Sequence, residues 1–128
     1  MRILITGGFG YLGARLAHEL REKHEIILLT RGFDRHNAEV RSWAKHFKIV
    51  EAVITDPPAV KAAVAKAGKL DAVIHLAAVN EHLCAKDPKM AFAVNVFGTQ
   101  ALPRRVRALP RDRRRPAAST VRPPRAPG

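Results

Sequence analysis

The sequence predicts an α/β fold: a truncated, doubly wound parallel sheet of about four strands over residues 1–100, with a disordered Arg/Pro-rich tail over residues 101–128. Three observations predict it. Short apolar runs alternate with segments of helical periodicity, glycines and Asp-Pro pairs mark the joints, and the composition changes abruptly near residue 100.

Arg2 to Thr6 is a short apolar run that stops at Gly7-Gly8, as a strand buried on both faces does. Gly10 to Glu22 places Leu12, Leu16 and Leu20 at i, i+4 and i+8, one face of a helix. Glu25 to Thr30 contains Ile26-Ile27-Leu28-Leu29, too apolar for an edge strand with a wet face, so a central strand is expected. Residues 38–46 read as a short helix with Val40 and Trp43 turned inward, and a strand follows within Phe47 to Ile54. Asp56-Pro57 starts a helix, because the carboxylate accepts a first-turn N–H and proline fits where no donor is missed. That helix presents Val60, Ala63, Val64 and Ala67 on one face and stops at Gly68. Asp71 to Ala78 is the fourth strand, Glu81, His82 and Cys84 lie in a solvated loop, and Asp87-Pro88 opens a helix that ends near Pro103.

The net charge of +12 is unevenly spread. Residues 1–100 carry 14 Lys+Arg and 10 Asp+Glu, a net of +4, whereas residues 101–128 carry 9 Arg and Asp112, a net of +8. All 8 Lys precede residue 100, and the tail adds 6 Pro and 5 Ala. Such a stretch can sustain neither helix nor sheet. An Arg, Pro and Ala mixture without Lys is what GC-rich DNA encodes out of frame, so a frameshift product or a truncated gene is the expected origin. The tail has no aromatic residue to stack on bases, so binding of nucleic acid through it is the lesser of the functional readings. The single Cys84 cannot form an internal disulfide, and the apolar run at Ile3 to Ile5 is too short for a signal core or a membrane span. A cytoplasmic protein without a membrane partner is expected.

The segment with the most chemical content is Ile5-Thr6-Gly7-Gly8-Phe9-Gly10-Tyr11-Leu12-Gly13. Gly7, Gly10 and Gly13 recur every three residues between a predicted strand and a predicted helix. A chain that turns sharply there, with no Cβ in the way, can bring free amides and the positive end of a helix dipole to a diphosphate. On the glycines alone, a tight strand-to-helix turn is the alternative, lesser reading. The flanking strands and the amphipathic helix supply the arrangement a dinucleotide fingerprint requires.

Thr6-Gly7-Gly8-Phe9-Gly10-Tyr11-Leu12-Gly13 resembles the TGxxGxxG loop of the extended short-chain dehydrogenase/reductase family, which includes the NAD-dependent epimerases and dehydratases. His75-Leu76-Ala77-Ala78 resembles that family's turn after the fourth strand, and Asn95-Val96-Phe97-Gly98-Thr99 its NVxGT segment. The resemblance implies a Rossmann-like NAD(P)-binding domain over residues 1 to about 100. It implies that Gly7, Gly10 and Gly13 surround the pyrophosphate, with contacts from Phe9, Tyr11 and Leu12, and that Ala77 and Ala78 line the ribose and nicotinamide side. It also implies that Asn95 ties backbone together near the active site, with a helix-surface amide as the other reading. His75, between Ile74 and Leu76, reads as a packed and hydrogen-bonded histidine rather than a catalytic one.

The end of the second strand selects the dinucleotide, because an acid there accepts ribose hydroxyls and a base pairs with a 2′-phosphate. Thr30 and Arg31 follow the strand, and no acid does. Arg31, with Arg35 and His36 nearby, therefore favours NADP over NAD; a solvated loop charge, or Asp34 folding back, are the alternatives. The family often places a Gly-Asp pair after the third strand to meet adenine, but Ala52 and Val53 stand there, and Asp56 reads as a helix cap.

The family's proton transfer uses a Tyr-x-x-x-Lys pair, which is missing from this sequence. The only tyrosine, Tyr11, lies in the glycine loop, and Arg15 stands four residues on. The expected function is thus the NAD(P)-binding portion of an epimerase/dehydratase-like oxidoreductase that does not turn over by itself, with a dinucleotide sensor as the alternative. No catalytic residue and no metal ligand is assigned. An unpaired fourth strand, with Val73 and Ile74, leads to an expectation of self-association through the sheet edge.

Overall fold

The computed structural model describes residues 1–103, and the expectations for the tail from residue 104 onward lie outside the described residues. Four strands, β1 (Arg2–Thr6), β2 (Glu25–Thr30), β3 (Lys48–Glu51) and β4 (Ala72–His75), form one parallel sheet in the order β3-β2-β1-β4. The register sets Thr6 beside Leu29 and His75, and Thr30 beside Glu51, so every strand ends at the same rim. β2 is interior, as its unbroken apolar run requires.

Alternation along each strand divides the core between the two sheet faces. Leu4, Ile27, Leu29 and Val50 pack under α3 (Pro57–Ala67) through Val60, Ala63 and Ala67. Ile3, Ile5, Ile26 and Leu28 pack under α1 (Tyr11–Leu20) and α2 (Ala38–Ala44) through Ala17, Leu16, Leu20 and Trp43. Helices on both faces make the sheet doubly wound, as expected. The caps follow side-chain chemistry: the Asn37 side chain accepts from the amides of Glu39 and Val40, and Asp56 accepts from Ala59 N at 3.0 Å. After β4 come α4 (Glu81–Lys86) and a continuous helical run of α5 (Pro88–Phe92), a π turn (Ala93–Phe97) and α6 (Gly98–Ala101).

Four details differ from the sequence reading. Leu12 does not face the sheet: it is 67% exposed, and the buried positions of α1 are Gly13 and Ala17. The helix lies so close to the loop that a Cβ on Gly13 would overlap the Gly7 carbonyl oxygen, and only a glycine admits that approach. β4 stops at His75 rather than Ala78, because the Leu76 amide is shared between the Thr6 carbonyl at 3.3 Å and the Thr6 hydroxyl at 3.1 Å, and the Ala77 amide leaves the ladder for that hydroxyl at 3.1 Å. Residues 81–86 are a helix, not a loop, started by Asn80, whose side chain accepts from Leu83 N at 3.1 Å. The core also passes residue 100, since Leu102 is 9% exposed and packs with Leu70 and Val60.

Candidate functional site

β1 and β4 are neighbours in space but not in sequence, and the chain leaves them toward opposite sheet faces. A crevice therefore opens beyond their carboxyl ends, the position where open α/β sheets take ligands. The glycine loop forms one wall and the turn Leu76–Asn80 the other. Gly7 has φ of 69°, and a Cβ there would come within 2.8 Å of the Leu76 carbonyl group, so the two walls touch through bare backbone. Gly10 is different: its φ of −80° suits any residue, and a Cβ would meet one atom, the Gly7 oxygen, at 3.2 Å. The rest of its surroundings are open.

α1 starts at this point without a side-chain cap, whereas Asn37, Asp56, Asn80 and Asp87 cap α2, α3, α4 and α5. Its first-turn amides, from Tyr11 to Gly13, have no acceptor within the helix and carry the positive end of the dipole. Tyr11 and Leu12 flank that mouth at 79% and 67% exposure. Phe9 points the other way: its ring stacks on Phe33 at 4.6 Å and meets Trp43 edge-on at 5.1 Å, which ties the loop to α2. On the opposite wall Ala77 is half-buried and Ala78 is exposed, with no large side chain at either position.

At the end of β2, Arg31 is exposed and, among the described residues, makes no ion pair. Arg35 is already engaged, stacked 4.5 Å from the Phe33 ring and paired with Glu51. The Asp34 carboxylate accepts from His36 N and Asn37 N in its own turn, so it does not reach back to the strand end. Ala52 is buried and Val53 is 52% exposed after β3, and Asp56 is occupied as a cap.

Asn95 bridges two elements. Its Oδ1 accepts from Val79 N at 2.9 Å and its Nδ2 donates to Val79 O at 3.4 Å, so it pins the β4 turn to the last helical run. Two further residues, Thr6 and Thr99, belong to the motif segments and flank His75, and the sequence alone assigned them no role. The fully buried Thr6 hydroxyl lies 2.6 Å from His75 Nδ1, and His75 Nε2 lies 3.0 Å from the Thr99 hydroxyl. Burial pushes the His75 pKa below its usual 6.5.

A family described as "NAD dependent epimerase/dehydratase family" matches residues 3–121. The chain belongs to that family. Among the epimerase/dehydratase relatives, UDP-glucuronic acid decarboxylase 6 of Arabidopsis thaliana is 31% identical over 104 residues, 77% of this chain and 28% of that protein. GDP-6-deoxy-D-talose 4-dehydrogenase of Aggregatibacter actinomycetemcomitans is 32% identical over 106 residues, 83% of this chain and 30% of that protein. Of the solved structures, UDP-glucose 4-epimerase of Thermus thermophilus in complex with NAD superposes with a TM-score of 0.67 at 26% identity, over 80% of this chain and 32% of that one. The chain thus spans less than a third of the length of these relatives, and its sheet is of the Rossmann type found in the solved epimerase.

The residues fit a nicotinamide dinucleotide. A diphosphate needs donors without intervening side chains, and the uncapped first turn of α1 beside the open side of Gly10 offers them. Small residues at Ala77 and Ala78 leave the facing wall free.

Proposed function

We propose that residues 1–103 are the dinucleotide-binding part of an epimerase/dehydratase-type oxidoreductase, and that they take NADP in preference to NAD. The observation that carries this reading is the uncapped start of α1 at the β1/β4 switch point, with Gly10 leaving open space beside it. In this reading the amides of Tyr11, Leu12 and Gly13 hold the diphosphate, and Arg31 pairs with the 2′-phosphate as a charged donor. Ala77 and Ala78 leave room for the ribose and nicotinamide. The bound dinucleotide would supply hydride-transfer chemistry; this chain's residues bind it and orient it.

No group in the sequence matches the family's Tyr-x-x-x-Lys proton donor, so the 128 residues by themselves are proposed to bind without turnover. Relatives named for UDP- and GDP-linked compounds support a nucleotide sugar as the substrate of a longer enzyme that carries this domain. β4 stands at the sheet edge, and a second copy pairing along it is the proposed protein partner. Titration with both dinucleotides, followed by Trp43 fluorescence, tests the cofactor reading. Tighter binding of NADP is expected, and tighter binding of NAD overturns the role given to Arg31.

A further inference from the structure

We infer that His75, neutral and protonated on Nε2, is a positioning residue that fixes the direction of a hydrogen-bond chain clamping the two walls of the crevice together. Counting donors assigns that chain. The Thr6 hydroxyl has two lone pairs and one proton. Leu76 N and Ala77 N both donate to it, so both lone pairs are used and its proton must go to His75 Nδ1, 2.6 Å away. Nδ1 is therefore an acceptor, and the ring proton sits on Nε2 and is given to the Thr99 hydroxyl at 3.0 Å. Thr99 in turn donates to the Asn95 carbonyl at 2.8 Å, while the Asn95 side chain holds Val79. One orientation satisfies every member, and it links the last residue of β1, the turn after β4 and the 93–101 helical run.

A second proton on His75 cannot be accommodated in place. It would aim Nδ1–H at a Thr6 oxygen whose lone pairs are filled, so either the Leu76 amide withdraws to the Thr6 carbonyl it already shares at 3.3 Å or the Ala77 bond breaks. Among the described residues, the surroundings offer no compensating charge. The glycine loop before Tyr11, the turn 76–80 and residues 93–101 carry no ionisable side chain, and β1 brings only Arg2, at its far end. α4 carries Glu81, His82, Cys84 and Lys86, α5 carries Lys89, and Asp71 precedes β4; burial alone sets the direction of the His75 shift.

The link from this clamp to ligand affinity rests on the dinucleotide reading, so the test has an arm that does not. Two-bond proton–nitrogen NMR spectra of the ligand-free chain should show His75 protonated on Nε2 only, and titrating below the usual 6.5. A proton on Nδ1, or titration at or above 6.5, overturns the inference whatever the chain binds. In the second arm, NAD affinity is measured from pH 7.5 to 5, with NAD chosen because it lacks a phosphate monoester titrating in that range. Affinity should fall about 2- to 10-fold as His75 protonates, the worth of one neutral hydrogen bond. His75→Asn keeps an acceptor facing Thr6 and should flatten that pH dependence while retaining most of the affinity at pH 7.5. His75→Gln keeps only the Thr99 side and should bind less tightly than His75→Asn. Unchanged pH dependence in His75→Asn overturns the inference. A chain that shows the expected tautomer but no response to NAD overturns the dinucleotide reading instead.

Discussion

Gly13→Ala isolates the close approach on which the crevice depends. The new Cβ would overlap the Gly7 oxygen and stand 2.8 Å from the Gly7 carbonyl carbon and 2.9 Å from the Gly8 Cα. All three are backbone atoms in a turn closed by the Gly10 N to Gly7 O bond of 2.9 Å, so none can swing aside as a side chain would. That places the overpacking cost near the top of its usual range, about 3 kcal/mol. Alanine returns about 1 kcal/mol in helix propensity at a position inside α1. The net loss is about 2 kcal/mol, which in a domain of this size lowers the thermal midpoint by about 8–16 °C. Gly10→Ala is the control: one contact at 3.2 Å and an ordinary φ cost about 0.5 kcal/mol or less. Circular dichroism melts of the three chains read the difference. A Gly13→Ala chain as stable as the parent, or one destabilised no more than Gly10→Ala, would refute the packing argument.

Other outcomes are equally specific. Arg31→Ala should weaken NADP about 10- to 100-fold, the loss of a charge-assisted contact, and leave NAD within twofold in parallel titrations. Asp56→Ala removes the cap on Ala59 N and should cost about 1 kcal/mol, read as a fall of about 4–8 °C in the melting midpoint. Because burial lowers the folded pKa of His75, the unfolded chain takes up its proton first as pH falls below 6.5. Stability is therefore full above that value and declines on acidification until the folded form also protonates; His75→Asn should lose this component of the pH–stability curve. Sedimentation velocity should detect concentration-dependent self-association, and a single monomeric species at every concentration would refute pairing along β4.

The strands and most helices could be read from the sequence because their signals are local. The run Ile26–Leu29 and the pairs Asp56-Pro57 and Asp87-Pro88 each specify a conformation from within a few residues. The face of α1 was legible in part: Leu16 and Leu20 pack on the sheet, but Leu12 does not. Spacing pointed to Leu12, but the helix is pulled onto the loop through Gly13, and that contact belongs to the tertiary fold. α4 was missed because Asn80 is a lone cap ahead of only six helical residues, too short for periodicity to appear. The glycine loop and the Ala77-Ala78 turn were recognisable as motifs, and the structure places them on facing walls. The roles of Thr6 and Thr99 were not legible, since their partner His75 is 69 residues from one and 24 from the other, and hydrogen-bond direction requires all three together.

The central claim, that a dinucleotide diphosphate rests on the bare amides where β1 becomes α1, is tested most directly by calorimetric titration of NADP into the parent chain and into Gly10→Val. Saturable one-to-one binding to the parent is expected, with at least a tenfold loss in a Gly10→Val chain that still melts cooperatively. Equal affinity in the two folded chains, or no heat from the parent, contradicts it.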